Sequence, residues 1–380
     1  MVYPSEEFFR KYNVRTDLAL EAHQVIVEQE GPPEIPGVIV EEEEGDNYTV
    51  SRMTIETDEG SRAMGKAKGN YVTLIAKGLR QRDKMVQDAI AQKMAQELQG
   101  FLQRMGLGEE DPVLVVGLGN WNATPDALGP RVVSKLLVTR HLYQMSPPEL
   151  RGGLRPVSSV APGVLGLTGI ETGEIVQGIV EKSRPKVVIC VDALASRSTE
   201  RLCTTIQIAD TGIHPGSGIG NKRLGITAET MGVPVIAIGV PTVVHAITIV
   251  SDALDMIGRE SQVSPTAPGP MHRSSPPPPQ SPMLDPNQIN LLQGQGNPPV
   301  MSGVGNYQHE VGMMPFQVPI DAATKRDLIQ RVLTPYMGTM VVTPKEIDVL
   351  IEDAAQVVAG GINGAFHPAI DQSELAFYTR

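Results

Sequence analysis

Residues 113–130 read Val-Leu-Val-Val-Gly-Leu-Gly-Asn-Trp-Asn-Ala-Thr-Pro-Asp-Ala-Leu-Gly-Pro, and this stretch decides the fold. The apolar run at its start breaks at Gly117, which is typical of a strand buried on both faces of a parallel sheet. The glycines permit a sharp turn, and Thr124 can cap a helix whose first residue is Pro125. The pattern predicts that Asp126 lies in the first turn of this helix, in the crevice where open α/β sheets usually hold their sites.

A second stretch repeats this layout. Residues 186–191 read Lys-Val-Val-Ile-Cys-Val, which predicts another buried strand, and Asp192 follows directly. If the two strands are neighbours in one parallel sheet, Asp126 and Asp192 reach the same rim. Two carboxylates in a small site cannot both ionise cheaply, so one can act as acid and the other as base on a water molecule. The alternative is that Asp126 is a first-turn acid favoured by the helix dipole and that Asp192 caps a loop.

The order of the patterns predicts the fold class. Strand and helix patterns alternate from residue 113 to residue 257, which indicates an α/β fold with a largely parallel central sheet flanked by helices. Short β-prone runs between residues 35 and 79 predict an antiparallel addition at the N-terminal side. Near the other end, Thr343-Pro-Lys-Glu is a capping box that predicts a helix from Pro344 to about Ala359, with Gly360 ending it.

Composition divides the chain into five predicted segments. The stretch 258–319 is rich in Pro, Gln, Ser and Gly and cannot bury enough apolar surface to offset chain entropy, so we predict a disordered insertion. The five segments are a polar leader (1–17), a β meander with a long helix (18–110), an α/β core (111–257), the insertion (258–319) and C-terminal helices packed on the core (320–380).

Charge and cysteine content exclude several classes of protein. The net charge of −11 over 380 residues argues against a protein that coats nucleic acid, because phosphate binding needs a basic surface. Two cysteines, Cys190 and Cys203, are too few for a disulfide framework and fit a reducing cytoplasm. Residues 1–10 lack the features of a secretory signal, and the apolar stretch 233–250 is interrupted by prolines and a glycine. We therefore expect a cytoplasmic protein without a membrane span.

A glycine-rich stretch, residues 213–223, is a second candidate for binding chemistry. Its backbone N–H groups and the basic pair at its end could hold an anion or an oxyanion. A flexible surface turn is the alternative interpretation. Ser217 could act as a nucleophile only with a base, for which His214 is the nearby histidine. The alternating glycines are Gly216, Gly218 and Gly220.

Five blocks of the sequence, among them Gly117–Asn120, Thr124–Pro130 and Ala161–Gly166, resemble the signature blocks of the germination protease family, whose members are spore endopeptidases that degrade small acid-soluble, DNA-protecting spore proteins. The resemblance covers most of the chain outside the Pro-rich insertion, which is not expected of the family. The blocks that carry it are Gly117–Asn120, Thr124–Pro130, Ala161–Gly166, Val191–Ala195 and His214–Arg223.

This resemblance implies a zymogen. Arg15-Thr-Asp-Leu-Ala resembles both the processing site and the substrate pattern of the family, an acidic residue followed by an apolar residue and then Ala. Cleavage would fall between Asp17 and Leu18, so residues 1–17 would be a propeptide. The resemblance further implies a homotetramer in the spore core. It also implies a fold similar to the hydrogenase maturation proteases, in which acids at the positions of Asp126 and Asp192 contact nickel.

We therefore expect an endopeptidase in which Asp126 and Asp192 activate water without a cofactor, while the loop from His214 to Gly220 holds substrate or the oxyanion. A variant of this hypothesis has the two acids and His214 binding a divalent metal that polarises the water. A different class remains open, namely a non-catalytic module that binds a nucleotide or anion through its glycine-rich loops at Gly117 and Gly216.

Overall fold

The computed structural model describes residues 16–30, 35–147, 155–214, 224–246, 248–250, 253 and 340–368. All of these residues belong to one compact unit. Most of the predicted leader, the predicted insertion 258–319 and the last residues of the chain lie outside the described residues. The five-segment division and the disorder of the insertion therefore stay predictions.

In the described part of the chain, nine strands form one sheet. The strand order is β1-β2-β3-β7-β8-β6-β4-β5, and β9 pairs with β8. The strands are β1 (Val38–Glu44), β2 (Thr49–Ile55), β3 (Gly69–Ile75), β4 (Val113–Gly117), β5 (Val157–Val160), β6 (Val187–Ser196), β7 (Thr205–Ala209), β8 (Val235–His245) and β9 (Val341–Val342).

The sheet is mixed, so the prediction of a largely parallel sheet is wrong. Only β4–β5, β4–β6 and β6–β8 pair in parallel among the described strands. The pairs β1–β2, β2–β3, β3–β7, β7–β8 and β8–β9 are antiparallel. The reversal at β7 follows from its link to β6, which holds only the 3-10 turn Thr199–Arg201. Such a link is too short for the helical crossover that a parallel neighbour needs. The likeness to hydrogenase maturation proteases stays a prediction.

The predicted antiparallel addition is confirmed as β1, β2 and β3. The strand β1 lies at the edge of the sheet. Its glutamates at residues 41–44 are mostly exposed. Charged residues on an edge strand discourage pairing with another chain.

Helices cover both faces of the sheet. The largest apolar cluster joins α3, α4 and α9 to one face, and two smaller clusters join α7 with α8 and α1 with α2 to the other. The helices are α1 (Ala19–Glu30), α2 (Asp58–Met64), α3 (Lys84–Arg104), α4 (Leu128–Val133), α5 (Arg140–Met145), α6 (Leu165–Thr168), α7 (Thr172–Ser183), α8 (Ala228–Met231) and α9 (Ile347–Phe366).

The central strand β4 is buried on both faces, as its apolar sequence predicts. Val113 and Val115 belong to the cluster beneath α3 and α9. Leu114 and Val116 belong to the cluster beneath α7. Successive side chains of a strand point to opposite faces, so a strand between two helical layers needs an unbroken apolar run.

The C-terminal helix α9 differs from its prediction at both ends. Thr343 does not cap it, because its hydroxyl donates to the carbonyl oxygen of Thr242 at 2.9 Å, and the helix begins at Ile347. Gly360 lies inside the helix, which continues to Phe366. A Cβ atom at the neighbouring Gly361 would approach Met94 Sδ to 2.7 Å, so glycine lets α9 pack closely on α3. This packing outweighs the local tendency of glycine to end a helix.

Within the described residues, no helix combines the length and the apolar composition that a membrane crossing requires.

Candidate active site

The loop after β4 is held by close contacts between backbones. Gly119 adopts φ 113°, and a Cβ atom there would lie 2.0 Å from the carbonyl oxygen of Asp126. A Cβ atom at Gly129 would lie 2.3 Å from the carbonyl oxygen of Leu118 and 2.5 Å from that of Val191. Only glycine permits these approaches. These approaches hold the turn that contains Asp126 close to Val191, the residue that precedes Asp192.

Asp126 lies at the end of a 3-10 turn, Thr124–Asp126. Thr124 is the first residue of this turn rather than its cap, so the predicted helix cap is wrong. The turn closes onto its own loop instead, since the backbone N–H of Asn120 donates to Asp126 Oδ2 at 2.7 Å. The carboxylate is thereby fixed by the same loop that ends β4.

Asp192 lies inside β6 rather than after it, which corrects the predicted strand end. The strand continues because β8 remains its neighbour, with Asp192 opposite Gly239, whereas β4 stops pairing at Gly117. Asp192 is only 9% exposed, and its Oδ1 accepts from the N–H of Ala193 at 2.9 Å. Asp192 therefore lies on β6 just beyond the point at which β4 stops pairing.

Both acids line one cavity of about 960 Å³. The structure therefore brings Asp126 and Asp192 to one cavity, while their action as a catalytic pair stays a prediction. Exposed His214 also lines this cavity, together with Thr172 from the start of α7. The remaining residues of the predicted loop, Gly216, Ser217, Gly218 and Gly220, lie outside the described residues, so their role stays a prediction.

The predicted metal ligands do not form a ligand set. Among the residues that the structure describes, no three His, Cys, Asp or Glu side chains lie close enough together to hold a metal ion. Asp126, Asp192 and His214 are all described, and they do not form such a group of three. The metal-activated water stays a prediction, because two carboxylates and water ligands can hold a divalent cation without a third protein donor.

The predicted cleavage site reaches the same cavity, because Thr16 and Asp17 line it. The N–H of Asp17 donates to the carbonyl oxygen of Ala195 at 3.0 Å, and the N–H of Ala195 donates to Asp17 Oδ2 at 2.8 Å. Leu18 and Ala19 are fully buried. The segment thus lies along β6 just beyond Asp192.

Glu21 anchors this segment further along. Its carboxylate accepts from the N–H groups of Arg197 and Ser198 at 2.7 and 3.0 Å, and it pairs with Arg201 at 3.3 Å. A buried carboxylate needs such partners, and Glu21 is only 3% exposed. The start of α1 is therefore fastened to the link between β6 and β7.

Two cavity residues were not predicted from the sequence. Lys66, from the turn between α2 and β3, donates through Nζ to the carbonyl oxygens of Thr16 and Asp17, both at 3.0 Å. Gln207, from β7, donates through Nε2 to the carbonyl oxygen of Asp17 at 3.2 Å. Neither residue belongs to a recognisable motif. Only the antiparallel placement of β3 and β7 brings them to the cavity.

Cys190 has a structural role. It is fully buried in β6, and burial raises the pKa of its thiol, with a smaller contribution from the charge of Asp192. A thiol in this state is a poor nucleophile, so Cys190 acts as a small apolar residue.

Comparison with known proteins gives a consistent result. The family described as germination protease matches residues 19–267 and 301–379, so residues 268–300 are the unmatched part of the predicted insertion. The germination proteases of Bacillus cereus strain AH187 and Bacillus cytotoxicus are each 46% identical to this chain, and that of Bacillus mycoides is 45% identical. Each similarity covers 97% of this chain and 98% of the relative.

Proposed function

The chain belongs to the germination protease family and is therefore a protease, and we propose that it uses Asp126 and Asp192 to activate a water molecule against small acid-soluble spore proteins. One carboxylate takes a proton from the water as it attacks the scissile carbonyl carbon. The other carboxyl group gives a proton to the departing nitrogen. The observation that carries the proposal is the shared cavity, which both acids line.

We further propose that the chain is made as a zymogen that cuts its own Asp17–Leu18 bond. The support for this is the position of Asp17, whose backbone and side chain both bind β6 close to Asp192. A leader held in this way fills the place that a substrate would take. Its removal would open the cavity to other proteins.

The setting of this activity is also a proposal. We expect the protease to work in the cytoplasm of the spore core as a homotetramer. Its net charge of −11 favours long-range attraction of basic substrates over binding to nucleic acid.

Mass spectrometry of the purified full chain tests these proposals. Wild type incubated with a small acid-soluble spore protein should lose residues 1–17 and cut the substrate. Asp126→Asn and Asp192→Asn should do neither, because each variant keeps the shape of the side chain but removes one of the two acids. Asp353→Asn is the matched control, since Asp353 pairs with Arg82 and does not line the cavity.

Each negative result of this experiment would refute a different part of the proposal. Normal cutting by both cavity variants would refute the acid pair. Substrate cutting without loss of residues 1–17 would refute only the zymogen. A wild-type activity that is lost after exhaustive chelation and restored by a divalent cation would replace the acid pair with a metal-activated water.

A further inference from the structure

One carbonyl oxygen in the cavity accepts two side-chain hydrogen bonds. The oxygen of Asp17 lies 3.0 Å from Lys66 Nζ and 3.2 Å from Gln207 Nε2. This carbonyl belongs to the Asp17–Leu18 bond, which is the bond that the proposed function cuts. Paired donors at about 3 Å are the arrangement that stabilises an oxyanion in acyl-transfer enzymes.

The turn after α2 fixes the backbone at Lys66. Gly65 caps the C-terminal end of α2 in the left-handed conformation, and the hydroxyl of Ser61 donates to the carbonyl oxygen of Lys66 at 2.6 Å. None of the ion pairs among the described residues includes Lys66, so its ammonium is satisfied by the carbonyl oxygens of Thr16 and Asp17. Lys66 is partly buried, and these two carbonyl oxygens replace part of the water that its ammonium gives up.

Gln207 fixes the peptide on both sides of Leu18. Its Nε2 donates to the Asp17 carbonyl oxygen, while its Oε1 accepts from the N–H of Ala19 at 2.7 Å. The side chain is only 8% exposed. Because these contacts read the backbone and not side chains, any extended peptide in the same place could make them.

We propose that Lys66 and Gln207 are catalytic residues that bind and polarise the carbonyl oxygen of the bond to be cut, in the leader and in protein substrates alike. The proposal rests on the proposed cleavage between Asp17 and Leu18. In the first step the water oxygen bonds to the carbonyl carbon, its proton moves to one acid, and the carbonyl π pair moves onto the oxygen held by Lys66 and Gln207. In the second step that pair re-forms the carbonyl, the C–N bond breaks, and the Leu18 nitrogen takes a proton from the other acid.

The charge of Lys66 predicts how the rate of cleavage depends on pH. Burial lowers the pKa of its ammonium, against the opposing effect of the Asp17 and Glu21 carboxylates. The nearby hydroxyl of Tyr71 stays neutral over the working range, because burial raises its pKa to about 12. The reaction rate of wild type should therefore fall as the pH rises towards the ordinary range of lysine. An arginine in place of Lys66 keeps its charge throughout.

The test measures the first-order rate of leader removal in the full chain, with mass spectrometry to identify the bond. Lys66→Met should lower the rate about 100-fold to 1,000-fold, the usual cost of one lost oxyanion donor. Lys66→Arg should restore part of the rate and lose its decline at high pH. Lys68→Met is the matched control, because Lys68 is an exposed lysine that pairs with Asp58, and it should match wild type.

A second variant guards against a folding defect in Lys66→Met. Gln207→Glu keeps the side-chain shape and the acceptor for Ala19 but removes the donor to Asp17, and it should also slow cleavage. Cutting by Lys66→Met and Gln207→Glu within twofold of wild type would overturn the inference while leaving the acid pair intact. Cutting by wild type at another bond would overturn both the inference and the zymogen site.

Discussion

Two pairs of residues that line the cavity come from different parts of the sheet. We call Asp126 and Asp192 the acid wall, which lies where the parallel strands β4 and β6 diverge. We call Lys66 and Gln207 the clamp wall, which comes from the turn before β3 and from β7, two strands that pair antiparallel. The strand β8 joins the two walls, since it is parallel to β6 and antiparallel to β7.

The walls differ in how their side chains are positioned. Backbone approaches at glycines fix the acid wall, for example at Gly129 against Leu118 and Val191. The clamp wall instead reaches the peptide through long side chains, Lys66 and Gln207. A mixed sheet thus provides a tightly packed loop for the acids and side chains that bind a peptide backbone at the same cavity. We expect the acid wall to tolerate change less well than the clamp wall.

The largest expected effect tests whether the acid wall acts as one unit. Asp126→Asn and Asp192→Asn should each slow leader removal about a thousandfold or more, within the range typical of positioned acids and bases. The double variant should be no slower than the worse single variant, because residues that act together are not additive. Single-turnover rates measured by mass spectrometry check this. Losses that multiply would mean that the two acids act independently.

A smaller effect is expected from the contact between the end of α9 and the segment after α4. Asn363 and His367 of the α9 end bind the segment after α4, where the N–H of Leu137 donates to Asn363 Oδ1 at 3.0 Å and His367 Nε2 lies 3.4 Å from the Leu137 carbonyl oxygen. Burial lowers the pKa of His367 to about 4 from an ordinary value of 6.5. The folded protein therefore keeps this imidazole neutral where the unfolded chain already binds a proton.

The difference in proton binding makes the stability of the protein depend on pH. Because the unfolded chain binds the extra proton, His367 should lower the free energy of unfolding as the pH falls from 6.5 to about 4. The loss should reach at most about 3 kcal/mol. Urea unfolding at several pH values should show a shallower acid slope for His367→Gln than for wild type. His141→Gln, at an exposed site on α5, is the control. An unchanged slope in His367→Gln would contradict the prediction.

The smallest effect is expected from a single methyl group behind the acid wall. Gly129→Ala should cost about 1–3 kcal/mol of unfolding free energy, because its Cβ would press on the carbonyl oxygens of Leu118 and Val191. It should also slow cleavage by displacing the turn of Asp126. Gly178→Ala is the control, since nothing lies within 4 Å of its Cβ in α7, and it should stabilise the helix by about 0.5–1 kcal/mol. Equal stability of the two variants would show that the acid wall is not tightly packed.

The sequence predicted the acid wall better than the sheet that carries it. The apolar run of β4 and the glycines after it depend on local chemistry, so the positions of Asp126 and Asp192 on one rim could be inferred. The direction of β7 could not be inferred, because a strand has the same sequence pattern whether it is parallel or antiparallel to its neighbour. The predicted end of α9 was wrong for a similar reason, since the contact between Gly361 and Met94 cannot be read from the sequence.

The sequence by itself determined which segments are buried strands, where glycine must permit a turn, and which acids follow those strands. Only the tertiary structure decided that Lys66 and Gln207 meet at one carbonyl oxygen, since they lie far apart along the chain and share no motif. The physical reason is that periodicity and turn chemistry act over a few residues. A hydrogen bond between distant side chains depends instead on strand order and register across the whole sheet.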